Sequence, residues 1–130
     1  MGPGRLRRLA GLGLLLYVLT AAADVLLTRC GLAGEAALEG NPVVRWTMGR
    51  VGIGWALLLD KAAVGILCAL IAFALAPAIH RGEPWICKVP MLPAVRRWMQ
   101  GGDRSWIALI PLYGMVAAQV FAAGAWLLTR

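Results

Sequence analysis

Residues 9–28 read Leu9-Ala-Gly-Leu-Gly-Leu-Leu-Leu-Tyr-Val-Leu-Thr20-Ala-Ala-Ala-Asp24-Val-Leu-Leu-Thr28, twenty residues with one charge among them. As a helix this run is about 30 Å long, the thickness of a bilayer's hydrocarbon core. Two further runs of the same character follow, at 51–79 and 106–128. The second, at 29 residues, is longer than lipid requires, so either Val51-Gly-Ile-Gly54 lies at the interface or the helix tilts. The third carries Pro111 in its first turns, where a membrane helix tolerates it. Trp46, Trp55, Trp85, Trp98, Trp106 and Trp126 all fall near the ends of the runs, where indole rings settle. The expected fold is an all-α membrane protein with three transmembrane helices in a single integral-membrane domain over 1–130.

Composition agrees with that reading and removes several others. Of 130 residues 61% are hydrophobic and 15% charged, against about 45–50% and about 25% in soluble domains. A chain this apolar does not stay solvated as a disordered coil. The net charge of +7 would suggest nucleic acid in a soluble protein. Here the arginines sit at the ends of apolar runs, so their expected partner is the lipid bilayer and not nucleic acid.

Orientation follows from the flanking positive charges. Arg5, Arg7 and Arg8 precede the first run, and Arg81, Lys88, Arg96, Arg97 and Arg104 lie between the second and third, eight on one side. Arg29, Arg45, Arg50 and Arg130 make four on the other. The larger count belongs in the cytoplasm, which puts the N-terminus inside and the C-terminus outside an inner (cytoplasmic) membrane. A competing reading takes Arg5–Arg8, Leu9–Leu19 and Ala21-Ala-Ala23 as a signal peptide cleaved before Asp24. The apolar pattern continues through Val25, Leu26 and Leu27, which favours a span.

The residues that should not be in lipid carry the functional question. Asp24 has Thr20 and Thr28 at i−4 and i+4, stacked on one helix face. Asp60 and Lys61 interrupt the second run, and Gln119 interrupts the third. Each isolated charge at a helix centre costs about 2.5–3.5 kcal/mol on insertion scales, so these residues must be paired or hydrated. By depth, Asp24, Lys61 and Gln119 gather in the outer half of the bilayer. An Asp24–Lys61 pair holding the bundle in register is one reading. The other is a ligand, ion or proton site, because two carboxylates face one ammonium. Adjacent helical residues point about 100° apart, so Asp60 is expected to face elsewhere, toward another subunit or a watery crevice.

The first loop is oddly apolar for a solvent-exposed connection. Gly31 and Gly34 allow tight turns, and Asn41-Pro42 starts a short helix at the outer surface, Asn as N-cap and Pro at the first helical position. Glu39 before that N-terminus suits the helix dipole. If this loop folds down, Asp24, Thr28, Glu39, Asn41 and Lys61 make a capped pocket. The order Asp24-Val-Leu-Leu-Thr28, Gly31, Gly34, Glu39-Gly-Asn41-Pro42, Arg45 and Lys61 resembles an uncharacterised family of small bacterial and archaeal integral-membrane proteins, a domain of unknown function. The resemblance covers roughly residues 14–75. It implies a fold, and that the Asp, Asn-Pro and Lys positions act together, but no activity. Asp60 departs from the pattern, which has an apolar residue before the Lys, so the resemblance assigns it no role.

In the second loop Pro84, Pro90 and Pro93 precede a helix near 93–100 that lies on the inner leaflet, with Arg96, Arg97 and Trp98 as lipid-headgroup contacts. Cys30, Cys68 and Cys87 fall at three different depths, so only a Cys30–Cys30 bridge between copies would be feasible. His80 is the only histidine, which argues against haem or a structural metal, and no catalytic motif occurs. No catalytic residue, metal or cofactor is therefore expected. Gly114, Ala118 and Ala122, with Ala117 and Gly124, offer small-residue packing faces on the third helix. Three spans enclose little, so self-association or a membrane partner subunit is expected. Two functions survive: a non-enzymatic binding, assembly or accessory subunit with a buried Asp/Lys site, and a small oligomeric transporter or proton/ion-coupled carrier using the same charges. An intramembrane enzyme with Glu39 or Asp24 as general acid or base ranks third, because no nucleophile signature supports it. N-terminal sequencing of purified protein is expected to read from the first residues of the chain; a start at Asp24 would instead establish cleavage.

Overall fold

The computed structural model describes residues 2–36, 39–83, 85 and 104–128, and every regular element among them is helical. Helix α1 is Pro3–Leu32, α2 is Pro42–Val51, α3 is Ile53–Arg81 and α4 is Ser105–Leu128. Helices α1, α3 and α4 are long and apolar enough to cross a membrane. Their outward surfaces are apolar as well: Leu15, Leu19, Leu26, Ile66, Leu70, Phe121 and Leu127 are all exposed. In water such a coat would aggregate, whereas in lipid it is solvated.

The spans differ from the sequence expectation at their ends, and each difference has a local cause. α1 outruns 9–28 at both ends because Pro3 opens it at a position where no N–H is needed, and its helix continues past Thr28 to Leu32. It stops at Ala33 (φ 47°) and Gly34 (φ 91°), two successive left-handed residues. Gly31, expected in a turn, lies inside α1 instead. Val51 ends α2, and Gly52 (φ 86°, ψ 157°) turns the chain into α3. Near its far end α3 meets Pro77, which lacks the N–H that the Phe73 carbonyl would accept. The turn Ile71–Leu75 widens to π-helix just ahead of it, and the helix runs on to Arg81. α4 begins as a 3-10 turn, Ser105–Leu109, and becomes α-helical at Ile110, so Pro111 sits in the first turn of the α-helical part. The helix expected near 93–100, with Arg96, Arg97 and Trp98, lies outside the described residues, as does Cys87. Of the other two cysteines, Cys30 is exposed and Cys68 buried, both as free thiols.

The order of packing is set by one stripe on α1. Leu6, Ala10, Gly13, Tyr17, Ala21, Asp24, Thr28 and Leu32 recur every three or four residues and are all buried. Both other spans pack on α1. α3 and α4 meet mainly at one end, where the close of α3 packs on Ser105–Leu109. Close approach is allowed by glycines facing rings and branched chains. A Cβ on Gly65 would lie 2.6 Å from the Tyr17 ring, on Gly31 2.4 Å from the Trp126 ring, and on Gly13 2.8 Å from Leu112. Of the small residues expected to offer packing faces on the third helix, Ala122 is half-buried on a cavity wall, and the others are not used for close packing within the chain. Gly114, Ala117 and Ala118 are exposed, and a Cβ on Gly114 or Gly124 would meet nothing within 4 Å.

Two tyrosines pin the interfaces. The Tyr113 hydroxyl donates to the Leu9 carbonyl at 2.9 Å, tying α4 to α1. The Tyr17 hydroxyl donates to the Lys61 carbonyl at 2.7 Å, tying α1 to α3. Past the end of α3, Glu83 accepts from the Trp85 indole and from Arg81 Nε at 2.7 Å, and these bonds hold its carboxyl below the usual range. Whatever this exposed clasp contributes is complete above the ordinary Glu value of about 4.3 and is lost as pH falls through the lowered one.

Gly65→Ala and Gly31→Ala are each expected to lower unfolding stability in detergent by about 1–3 kcal/mol, since the added methyl must displace a ring. Gly114→Ala, made into open space, should stay within about 0.5 kcal/mol of wild type. Equal losses at all three positions would contradict this packing.

Candidate polar binding site

At the end of the bundle where α3 and α4 separate, a cavity of about 230 Å³ is lined by polar groups from α1, α3 and the segment before α2. Asp24 and Thr28 come from α1, Asp60 and Lys61 from α3, and Glu39 and Asn41 from the segment that leads into α2. Val44, Leu57, Ala122 and Trp126 supply the apolar wall. The cavity exists because α1 is the only span that packs closely on both neighbours here, leaving a gap that α2 covers.

Lys61 is the centre of the arrangement. Its Nζ lies 2.8 Å from Asp24 Oδ2 and 3.8 Å from Asp60 Oδ2. Asp60, expected to face another subunit or a watery crevice, does open onto the cavity, but contrary to expectation it is not out of reach of Lys61. The backbone directions do diverge, but the long flexible lysine stem curls back far enough to reach both carboxylates. The two acids are not equivalent. The Asp24 side chain is 8% exposed and accepts a long 3.5 Å bond from the Thr28 hydroxyl, whereas Asp60 is 35% exposed. Asp24 is thus the structural partner of Lys61, and Asp60 is the carboxylate that a ligand in the cavity would meet.

The rim is built by capping chemistry. Asn41 Oδ1 accepts from Val43 N at 3.0 Å and from Val44 N at 3.4 Å, opening α2 with Pro42 in its first turn. Glu39 Oε1 accepts from the Asn41 backbone N–H at 2.9 Å. These bonds fix Glu39-Gly40-Asn41 across the mouth. Beneath α2, Val44 and Met48 pack with Leu32, Ala56 and Leu57 in a small apolar cluster that seats this cap on the bundle.

Gln119, expected to join the set, lies elsewhere. It is buried one turn deeper on α4, where its Oε1 is 2.6 Å from Thr20 Oγ1. Thr20 Oγ1 is also 2.9 Å from the Leu16 carbonyl and 3.2 Å from the Tyr17 carbonyl, and its single proton serves one of the three acceptors. Gln119 Nε2 has no hydrogen-bond partner among the described residues. Tyr17 and Gly65 are the functional neighbours that sequence reasoning missed. They fix the backbone of Lys61, and the available signal was a glycine one turn beyond the lysine. Trp126 was read as an interfacial ring, yet it packs on Gly31 and forms part of the cavity wall.

None of the family models, curated proteins or solved structures compared with this chain matches it.

The shared ammonium makes the two sides of the ion pair unequal. Lys61→Met leaves two carboxylates facing each other in a low-dielectric site and is expected to cost about 3–5 kcal/mol. Asp24→Asn keeps Asp60 beside the lysine and should cost less. The Asp24→Lys/Lys61→Asp exchange should recover part of the loss, bounded by the roughly 0.6–2 kcal/mol of such membrane contacts. Unfolding in detergent measures all three, and equal losses for Lys61→Met and Asp24→Asn would overturn this asymmetry.

Proposed function

We propose that this protein is a small non-enzymatic binding protein of the cytoplasmic membrane, whose cavity takes up a small cation from the outer face. The observation that carries this reading is the charge inventory of the cavity. Two carboxylates share one ammonium, and a third, Glu39, stands at the mouth. A small cation beside Asp60 would complete the compensation that Lys61 leaves partial. The volume, several times the roughly 30 Å³ share of one liquid water, suits a monovalent ion with part of its hydration or a small amine. The arginine-rich start of α1 lies at the opposite end of the bundle, so placing that end in the cytoplasm turns the cavity outward. The resemblance carried by Asp24, Thr28, Glu39, Asn41-Pro42 and Lys61 supports treating these residues as one unit. The exposed small-residue face at Gly114, Ala117 and Ala118 supports association with further copies or with a membrane partner subunit.

A second reading, a small oligomeric carrier, is favoured by one observation. Polar groups continue below the cavity as Thr20, Gln119 and Tyr17. A carrier would assemble normally as Asp24→Asn or Gln119→Leu and lose transport, whereas a binding protein shows no transport to lose.

Thermal unfolding in detergent tests the binding reading, with monovalent inorganic cations and small primary amines as chloride salts at matched ionic strength. At least one of them is expected to raise the transition in a saturable way, by about 2.7 kcal/mol at one hundred times its dissociation constant. Asp60→Asn, which keeps the Asp24–Lys61 pair, should fold and lose the response. If no cation stabilises the wild type, the cation-binding reading fails.

A further inference from the structure

A second polar-ended cavity lies at the opposite end of the molecule, and its chemistry is different. It has a volume of about 670 Å³ and runs between the start of α1 and the close of α3. Arg7, Arg81 and the Glu83 carboxylate stand at its polar end, while Leu6, Phe73, Ala74 and Pro77 form an apolar floor. A second hollow of about 360 Å³ adjoins it, sharing Phe73 and Ala74 and extending along α3 to Leu70 and Ile66. Together they make one furrow with charge at the helix ends and hydrocarbon inward.

The dimensions and the charge of the furrow select an occupant. From Arg81 to Ile66 is about 22 Å of helix, enough for a headgroup followed by one leaflet of hydrocarbon at about 15 Å. The furrow is carved by sequence: Ala72, Ala74, Ala76 and Ala78 keep this stretch of α3 thin, and the π-turn at Ile71–Leu75 displaces the backbone at the point where the two hollows join. Arg5, Arg7, Arg8 and Arg81 are all exposed at this end, where Glu83 is the one carboxylate among the described residues. Glu83 engages Nε and Nη2 of Arg81, and a guanidinium carries five N–H donors, so donors remain for a second oxygen anion.

We propose that this furrow binds one anionic phospholipid. Its phosphate sits at the Arg7–Arg81 end and one acyl chain runs past Phe73 and Ala74 toward Ile66. A zwitterionic lipid fits the trough equally well but gains less from the surplus positive charge, so the site discriminates by headgroup. The inference is independent of the cavity at the other end and of what that cavity binds.

The full chain in mild detergent, given equal amounts of phosphatidylglycerol and phosphatidylcholine with identical acyl chains, provides the test, with retained lipid counted by native mass spectrometry. The wild type is expected to retain one phosphatidylglycerol in preference. Arg7→Gln/Arg81→Gln should reduce that preference by roughly fivefold for each arginine removed. Ala74→Phe, at an exposed position, fills the trough and should reduce retention while leaving unfolding stability unchanged. Arg5→Gln/Arg8→Gln removes the same charge outside the furrow and should leave the preference within about twofold of wild type. A wild type that retains both lipids equally would falsify the proposal. So would an Arg5→Gln/Arg8→Gln variant that loses the preference as fully as Arg7→Gln/Arg81→Gln, because attraction would then belong to the whole surface and not to the furrow.

Discussion

The placement of the Lys61 ammonium between Asp24 and Asp60 constrains the rest of the structure. In a medium that solvates ions poorly, three charged groups on two helices are tolerable only if they share a small volume. That requirement sets the register of α1 against α3. The Tyr17 hydroxyl on the Lys61 carbonyl, with the ring laid on Gly65, holds the same register through neutral contacts one turn deeper. Charge pairing and close packing therefore specify one arrangement between them, and neither needs to be strong alone.

The site is also a product of how three helices share one partner. α1 packs along both neighbours, whereas α3 and α4 meet chiefly at the Ser105–Leu109 end. Splaying at the other end opens a gap, and polar side chains from α1 and α3 line it because the apolar stripe of α1 becomes polar at Asp24 and Thr28. The cap over it is a helix start, and its hydrogen bonds run from Glu39 through Asn41 into α2. The same chain thus carries a polar hollow at one end and an amphipathic furrow at the other.

The three spans were legible in the sequence because length and hydropathy are properties of a single segment. Asn41-Pro42 as a helix start was legible for a related reason: a cap is local, and side chain and backbone lie within three residues of each other. The meeting of Asp24 and Lys61 could be anticipated from depth, which counting residues supplies, and that of Glu39 and Asn41 with them from an apolar first loop that folds down over the helices. Counting residues fixes depth only to within about a turn. Gln119 shares a face of α4 with Ala122 and Trp126 of the cavity wall, yet it lies one turn below them, where its amide meets Thr20. The path of the Lys61 stem depends on a side-chain conformation that no spacing rule encodes. The glycines show the same limit. Gly31, Gly65 and Gly114 look alike in sequence, and only the partner helix decides which of them sits under a ring.

The central position of α1 has a consequence for biosynthesis. α1 leaves the ribosome before α3 and α4, and it is also the helix against which both of them are fitted, so each later span meets a finished template. The same order leaves Asp24 in the bilayer before the residue that compensates it has been made. Until Lys61 arrives, the nascent chain holds a carboxylate without its counter-charge, and the arrival of α3 is then drawn toward one face of α1 in particular. The ion pair that fixes the folded register is in this sense also a guide for the second helix as it enters.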